Sequence, residues 1–120
     1  MIRRNPQESK QLAAERRKRE DEAPRLIKEA RRLTSLNIDV ENGGNRYVWR
    51  IVVERAAALF EIACPEPGCT NGGHDLTSSI IQSLKASAEH FQGESVCHGD
   101  LGAGQCGRLL KYTSQATYRA

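Results

Sequence analysis

The sequence contains no apolar run approaching the roughly 18 residues of a membrane span, so we expect no membrane-spanning helix. The segment Met1–Glu8 has positive charge but no apolar stretch behind it, and we therefore expect no secretory signal. Apolar residues make up only 38% of the chain, which excludes a large hydrophobic core. With 120 residues, the chain is the size of one domain, or of one small domain with an arm.

Motifs of several enzyme classes are also missing. The chain has neither a Cys-x-x-Cys redox pair nor the His-x-Glu of zinc deaminases. Residues Gly102–Gly107 fit G-x-G-x-x-G, but a strand is predicted after them, whereas phosphate binding requires a helix there. We therefore predict a protein that is not an enzyme and has no small-molecule substrate.

Positive charge is concentrated at the start of the chain. Residues 1–35 contain 11 Lys and Arg against 6 Asp and Glu, whereas residues 36–120 contain 7 against 9. We predict a basic arm over residues 1–23 that is helical or disordered, because its composition favours a helix but supplies almost no apolar face. The arm suggests an anionic partner.

The densest basic run of this arm is a candidate nucleic-acid contact. Its four residues are Arg16, Arg17, Lys18 and Arg19. Three acidic residues, 20–22, follow directly and would repel a phosphate backbone, so a solvated helix that neutralises its own charge is the competing interpretation.

Residues 24–45 are predicted to form an amphipathic helix and a linker. Pro24 suits the first turn of a helix that ends near Leu36, and residues 41–45 have the composition of a turn. Four residues would share one helical face: Leu26, Ile27, Ala30 and Leu33. This stripe would pack on the body or on a second copy, so we predict a homodimer or a protein partner.

Residues 46–120 are predicted to form an α+β domain with a small antiparallel sheet of about four strands and one packed helix. The helix follows Asp75 as its N-cap and ends near Phe91. The predicted strands are Tyr47–Val53, Ala58–Ala63, Glu94–His98 and Arg108–Tyr118. A continuous helix through Arg55–Ile62 is the alternative to the second strand.

Four cysteines occur as two pairs, Cys64-x4-Cys69 and Cys97-x8-Cys106. The first pair lies on a Pro/Gly turn and the second brackets a Gly-rich loop, and such turns can direct two sulfurs at one metal ion. Without an export signal we expect a cytoplasmic, reducing location, where clustered cysteines favour a metal over disulfides. We predict one structural Zn²⁺ per chain held by Cys64, Cys69, Cys97 and Cys106.

Other arrangements of the cysteines remain open at this point. Two disulfides or four unrelated thiols would use the same residues, and His74 or His98 could replace one cysteine as a ligand. His98 is the poorer co-ligand with Cys97, because neighbours in a strand point to opposite faces. The three histidines are otherwise expected at the surface or at a helix end.

With its two cysteine pairs, the chain resembles the broad class of zinc-ribbon domains over about residues 58–112. The resemblance implies a structural zinc between two knuckles on a small antiparallel sheet. Both pairs are wider than the two-residue spacing usual in the class, and a helix lies between them. We therefore predict a non-catalytic zinc-stabilised module for protein–protein interaction or self-association, with nucleic-acid binding as the alternative, through the arm and Arg50, Arg55 or Lys85.

Overall fold

The computed structural model describes residues 14, 15 and 17–120, of which 14, 15 and 17–22 are helical. The elements that follow are α1 (Leu26–Glu29), β1 (Leu33–Asn42), β2 (Asn45–Ile51), β3 (Glu61–Ile62), β4 (His74–Asp75), α2 (Thr77–Lys85), β5 (His90–Val96) and β6 (Leu109–Tyr118). Within the described residues, no helix is both long enough and apolar enough to cross a membrane.

Four antiparallel strands form the main sheet in the order β2-β1-β6-β5, and β3 pairs with β4 in a second, two-stranded sheet. The predicted α+β fold with a four-stranded antiparallel sheet is therefore confirmed. Gly43 and Gly44 join β1 to β2 in a two-residue turn, and both have positive φ, as a type I′ hairpin requires.

The sheet is buried on one face only, because apolar and polar residues alternate along its central strands. The loop before β3 and helix α2 pack on the buried face through Phe60, Ile80 and Leu84. The core residues of β1 and β6 are Leu33, Leu36, Ile38, Val40, Leu110, Tyr112 and Ala116. The opposite face is polar and exposed to solvent, so one hydrophobic layer holds the domain together.

The predicted amphipathic helix over residues 24–36 is wrong beyond Glu29. Ala30 leaves the helical conformation at φ −133° and ψ 74°, and β1 begins at Leu33. Three residues of the predicted stripe, Leu26, Ala30 and Leu33, are buried in this chain's own core, whereas the fourth, Ile27, is exposed. Residues assigned to a helix and linker thus include a central strand of the sheet, paired on both sides.

The predicted strand Ala58–Ala63 shortens to Glu61–Ile62, and it pairs with β4. The alternative helix over Arg55–Ile62 is also wrong. β2 is confirmed as a strand, but its partner is β1, since the Gly43-Gly44 turn brings those two strands together.

Helix α2 ends six residues earlier than predicted, so Phe91 lies in β5. Ser87 adopts the left-handed conformation at φ 55°. Its N–H bonds to the carbonyl of Leu84, and the Ala88 N–H bonds to that of Ser83, which closes the helix. At the other end, Asp75 accepts a hydrogen bond from the Thr77 N–H at 3.1 Å, although Leu76 occupies the cap position.

Candidate metal centre

The two cysteine pairs are placed by the ends of strands. Cys64 follows β3 and Cys97 follows β5, whereas Cys106 precedes β6. The backbone of Cys97 continues the β5–β6 pairing, because its N–H donates to the carbonyl of Arg108 at 2.9 Å. The Cys69 N–H donates to the carbonyl of Glu66 at 3.1 Å and closes the turn of the first pair. Each pair is thereby anchored to a sheet.

The structure brings together all four sequence-predicted metal ligands, with their sulfurs within 4.8 Å of one another. The Cys64 and Cys106 sulfurs lie 3.7 Å apart, and those of Cys69 and Cys97 lie 3.6 Å apart. Zinc–sulfur bonds of about 2.3 Å in a tetrahedron give sulfur–sulfur edges of about 3.8 Å. The cluster therefore has the size and donor set that fit one tetrahedral metal ion.

The cluster is more buried on one side than on the other. Cys69 and Cys97 are buried, and Cys64 and Cys106 are partly exposed. Two backbone groups donate to the Cys97 sulfur: the N–H of Gly73 at 3.3 Å and that of Gly99 at 3.4 Å. Such donors compensate for negative charge on sulfur.

The thiols differ in acidity because of these surroundings. Burial raises the pKa of Cys69 and of Cys64, since desolvation disfavours a thiolate. Burial also acts to raise the pKa of Cys97, but hydrogen bonds from backbone N–H groups and neighbouring thiols outweigh it and lower this pKa to about 7. Of these three thiols, Cys97 is thus the one that most readily becomes a thiolate in the metal-free protein.

Backbone crowding around the sulfurs explains why residue 99 is a glycine. A Cβ on Gly99 would collide with the sulfur of Cys69, and would lie 2.8 Å from the Gly72 Cα and 2.9 Å from the Thr70 carbonyl. The last two contacts are with backbone, which cannot move aside without opening the loop. Glycine is therefore required here by close approach.

Hydrogen bonds join the two cysteine loops directly. The backbone groups of Thr70 in the first loop and Asp100 in the second exchange bonds of 2.9 and 2.8 Å. Within the second loop, the Cys106 N–H donates to the Gly99 carbonyl at 2.8 Å. Arg108 adds a side-chain bond of 3.1 Å to Glu66 in the first loop. Sequence analysis missed these contacts, because each pairs residues about 30 or more positions apart, except the local bond from Cys106 to Gly99.

One of the three histidines, His74, is not at the surface as predicted. His90 and His98 are exposed, as expected, but His74 is buried. Its Nδ1 lies 2.9 Å from the Ser95 hydroxyl, while its Nε2 is buried without a hydrogen-bond partner among the described residues. Burial lowers the pKa of His74, so it is neutral at physiological pH. Among the described residues, the donor cluster consists of the four cysteines.

The predicted nucleic-acid contacts are not gathered at this centre. Arg16 lies outside the described residues, and Arg17 and Lys18 are exposed. Arg19 is engaged by Glu61, with Nη2 donating to Oε2 at 2.9 Å. The other predicted cations are dispersed, since Arg50 is in β2, Arg55 follows it, and Lys85 pairs with Glu29 at 3.1 Å. The described basic residues therefore form no single patch around the cysteine cluster.

No protein-family model, curated protein or solved structure matches this chain.

Proposed function

We propose that this protein is a non-catalytic binding module that is stabilised by one structural Zn²⁺ and that recognises other proteins. The single observation that carries the proposal is the cluster of four cysteine sulfurs, all within 4.8 Å of one another. Its two knuckles, attached to small antiparallel sheets, also support the resemblance to zinc ribbons.

The donor set favours a structural role for the metal. Four sulfurs occupy all four positions of tetrahedral zinc, so none remains for a reacting water or substrate. A structural zinc supplies apparent binding free energy of about 10–16 kcal/mol, which becomes folding free energy. Here that free energy would stabilise β3 and β4, which are short, and the loop 97–108, which contains no strand. A reducing compartment is consistent with four cysteines that remain bound to the metal and do not oxidise to disulfides.

Charge favours a protein over a nucleic acid as the partner. The polar face of the sheet has both signs interspersed along its strands, and Arg46 is paired with Asp39 at 3.2 Å. Apolar side chains are also exposed nearby, since Val48 and Val52 are 55% and 57% accessible. A phosphate-binding surface would instead concentrate Lys and Arg. The engagement of Arg19 by Glu61 further reduces the basic charge of the arm.

Two parallel measurements test this function on the full-length, zinc-loaded protein. A random-peptide display library is selected against it, and a mobility-shift titration with duplex DNA and single-stranded RNA is run at low and high salt. We expect peptides to be enriched and no shift at low salt. A shift that weakens steeply with salt and is lost in Arg17→Glu/Lys18→Glu would establish nucleic-acid binding instead.

A further inference from the structure

The free edge of β2 is the described surface best prepared to bind another chain. β2 is the outermost strand of the main sheet, paired only with β1 among the described residues. Strand edges left open in this way are templates for pairing with an additional strand. The opposite edge strand, β5, is less accessible, because the small sheet lies against it and His74 of β4 is hydrogen-bonded to Ser95.

The hairpin geometry determines which backbone groups are available on this edge. Asn42 and Asn45 close the two-residue turn and form its hydrogen-bonded pair, and in antiparallel strands such pairs alternate with non-bonded ones. The backbone N–H and C=O groups of Arg46, Val48 and Arg50 therefore point away from β1. These three residues offer a ladder of donors and acceptors to an added strand.

A cavity of about 510 Å³ lies beside the same strand. Its apolar wall includes Trp49, Ile51 and Phe60, and Trp49 packs edge-on against Phe60 with ring centroids 5.7 Å apart. No described residue of β1 lines the cavity, so it lies at the β2 side of the sheet's buried face rather than beneath the centre of the sheet. Alternate side chains of an added strand would face this cavity, since cross-strand neighbours share a face.

The charges on this edge favour an acidic partner. Arg46 and Arg50 flank Val48 on the polar face, and Arg50 has no ion-pair partner among the described residues. Arg46 is already paired with the Asp39 carboxylate at 3.2 Å and lies opposite Glu41 of β1, so Arg50 is the less compensated of the two cations. The cavity itself is balanced, because Arg25 and Arg55 line it together with two acidic residues, Glu20 and Asp21. The positive excess is therefore on the strand.

We propose that β2 captures an extended acidic peptide segment by adding it as a fifth strand. This proposal rests on the proposed protein-binding function. The segment carries an acidic residue opposite Arg46 and another opposite Arg50, with apolar residues between them that face Val48 and the cavity. Backbone bonds would supply affinity, and the cavity and arginines would supply specificity. A second copy is a poorer occupant, because self-pairing centred on Val48 places Arg46 directly opposite Arg50 of the copy.

The probe is a capped peptide with the core Glu-Leu-Val-Leu-Glu, titrated into ¹⁵N-labelled, zinc-loaded full-length protein and followed by NMR. We expect amide shifts concentrated in residues 45–52 and in the Trp49 indole. A peptide with Lys in place of both Glu residues should bind at least about tenfold more weakly. Shifts elsewhere, or no shift with the acidic peptide, would overturn the assignment.

Two matched variants separate backbone pairing from side-chain contact. Val48→Pro removes the outward N–H, a change that edge strands tolerate, whereas Val48→Thr keeps both the N–H and the β-branched shape. We expect peptide affinity to fall at least about tenfold in the first and to stay within about twofold in the second. Arg50→Glu should reverse the preference between the acidic and basic peptides, which tests the charge even if Val48→Pro disturbs the hairpin.

Two other outcomes would also overturn the edge assignment. If library-selected peptides bind Val48→Pro as well as the unmodified protein, β2 is not the docking edge, although the protein-binding function stands. If sedimentation shows a dimer that Val48→Pro dissociates, the occupant is a second copy. An empty library selection would instead remove the proposed function itself.

Discussion

Arg108 and Glu66 form an ion pair, with Nη1 donating to Oε2 at 3.1 Å, that ties the second cysteine loop to the first. The same guanidinium reaches the β1–β2 hairpin, where Nη2 donates to the Gly43 carbonyl at 2.9 Å. One side chain thus connects the candidate metal centre to the main sheet. The Arg108 side chain is 23% exposed and that of Glu66 is 39% exposed, so the arginine is the better shielded partner of the pair.

Replacing Arg108 by methionine should therefore destabilise the zinc-loaded protein. Loss of charge-assisted hydrogen bonds from a mostly buried group costs about 1.5–3 kcal/mol of unfolding free energy. Arg46→Met is the matched control, since it removes an ion pair whose arginine is 72% exposed, and the denaturation midpoint should hardly change. Equal midpoints for the two variants in urea denaturation would contradict the connecting role of Arg108.

Gly99→Ala should weaken metal binding, because its Cβ would meet the Cys69 sulfur and the backbone of Thr70 and Gly72. Disturbing the surroundings of metal ligands typically reduces affinity by about 10–100-fold, and we expect a loss in that range. Gly68→Ala is the control, since its Cβ would meet only Leu101 at an ordinary 3.8 Å. Chelator competition measures both affinities; equal values would show that the loop is not closely packed on the sulfurs.

Ser87→Gly should stabilise the protein, because Ser87 occupies the left-handed conformation after α2 at φ 55°. That conformation costs an L-residue about 1 kcal/mol, which glycine avoids. The same substitution within the helix, Ser83→Gly, should have the opposite sign and cost about 0.5 kcal/mol. Urea denaturation checks both, and a loss of stability in Ser87→Gly would show that the helix ends differently.

Stability should fall as the pH drops below about 6.5, in part because of His74. Burial lowers its pKa in the folded protein, so below the unfolded-state pKa of about 6.5 the unfolded chain binds the proton more readily. His74→Gln removes this contribution and should flatten the fall in stability between about pH 6.5 and 5. Protonation of the cysteines lowers the stability of both proteins, so the difference between their two stability curves isolates the contribution of His74. Parallel pH curves would mean that His74 is not buried in its neutral form.

The sequence was sufficient to predict that the four cysteines come together, because each cysteine pair lies among turn residues that can direct two sulfurs at one point. It was misleading for β1. Leu26, Ala30 and Leu33 are spaced like a helical face, and this spacing concealed the alternation of Leu36, Ile38 and Val40 that follows. Two alternating runs separated by the Gly43-Gly44 turn were the signal for the hairpin.

Other features depend on contacts that sequence spacing does not reveal. His74 is buried because β4 pairs with β3 and its ring reaches Ser95, 21 residues away. Arg19 pairs with Glu61, 42 residues away, so its charge is not available in the way that the basic run suggested. Long-range pairing fixes these environments, whereas local composition predicts only that such residues are polar.

Intact-mass measurement of the purified protein, under native and then denaturing conditions, tests the central claim most directly. If Cys64, Cys69, Cys97 and Cys106 hold one metal ion, the native mass exceeds that of the reduced chain by one zinc less the protons it displaces, and the denatured chain has four free thiols. Cys64→Ser and Cys97→Ser should each lose the metal and cooperative unfolding. A metal-free protein whose mass is lower by four hydrogens would contain two disulfides and would contradict a zinc-stabilised fold.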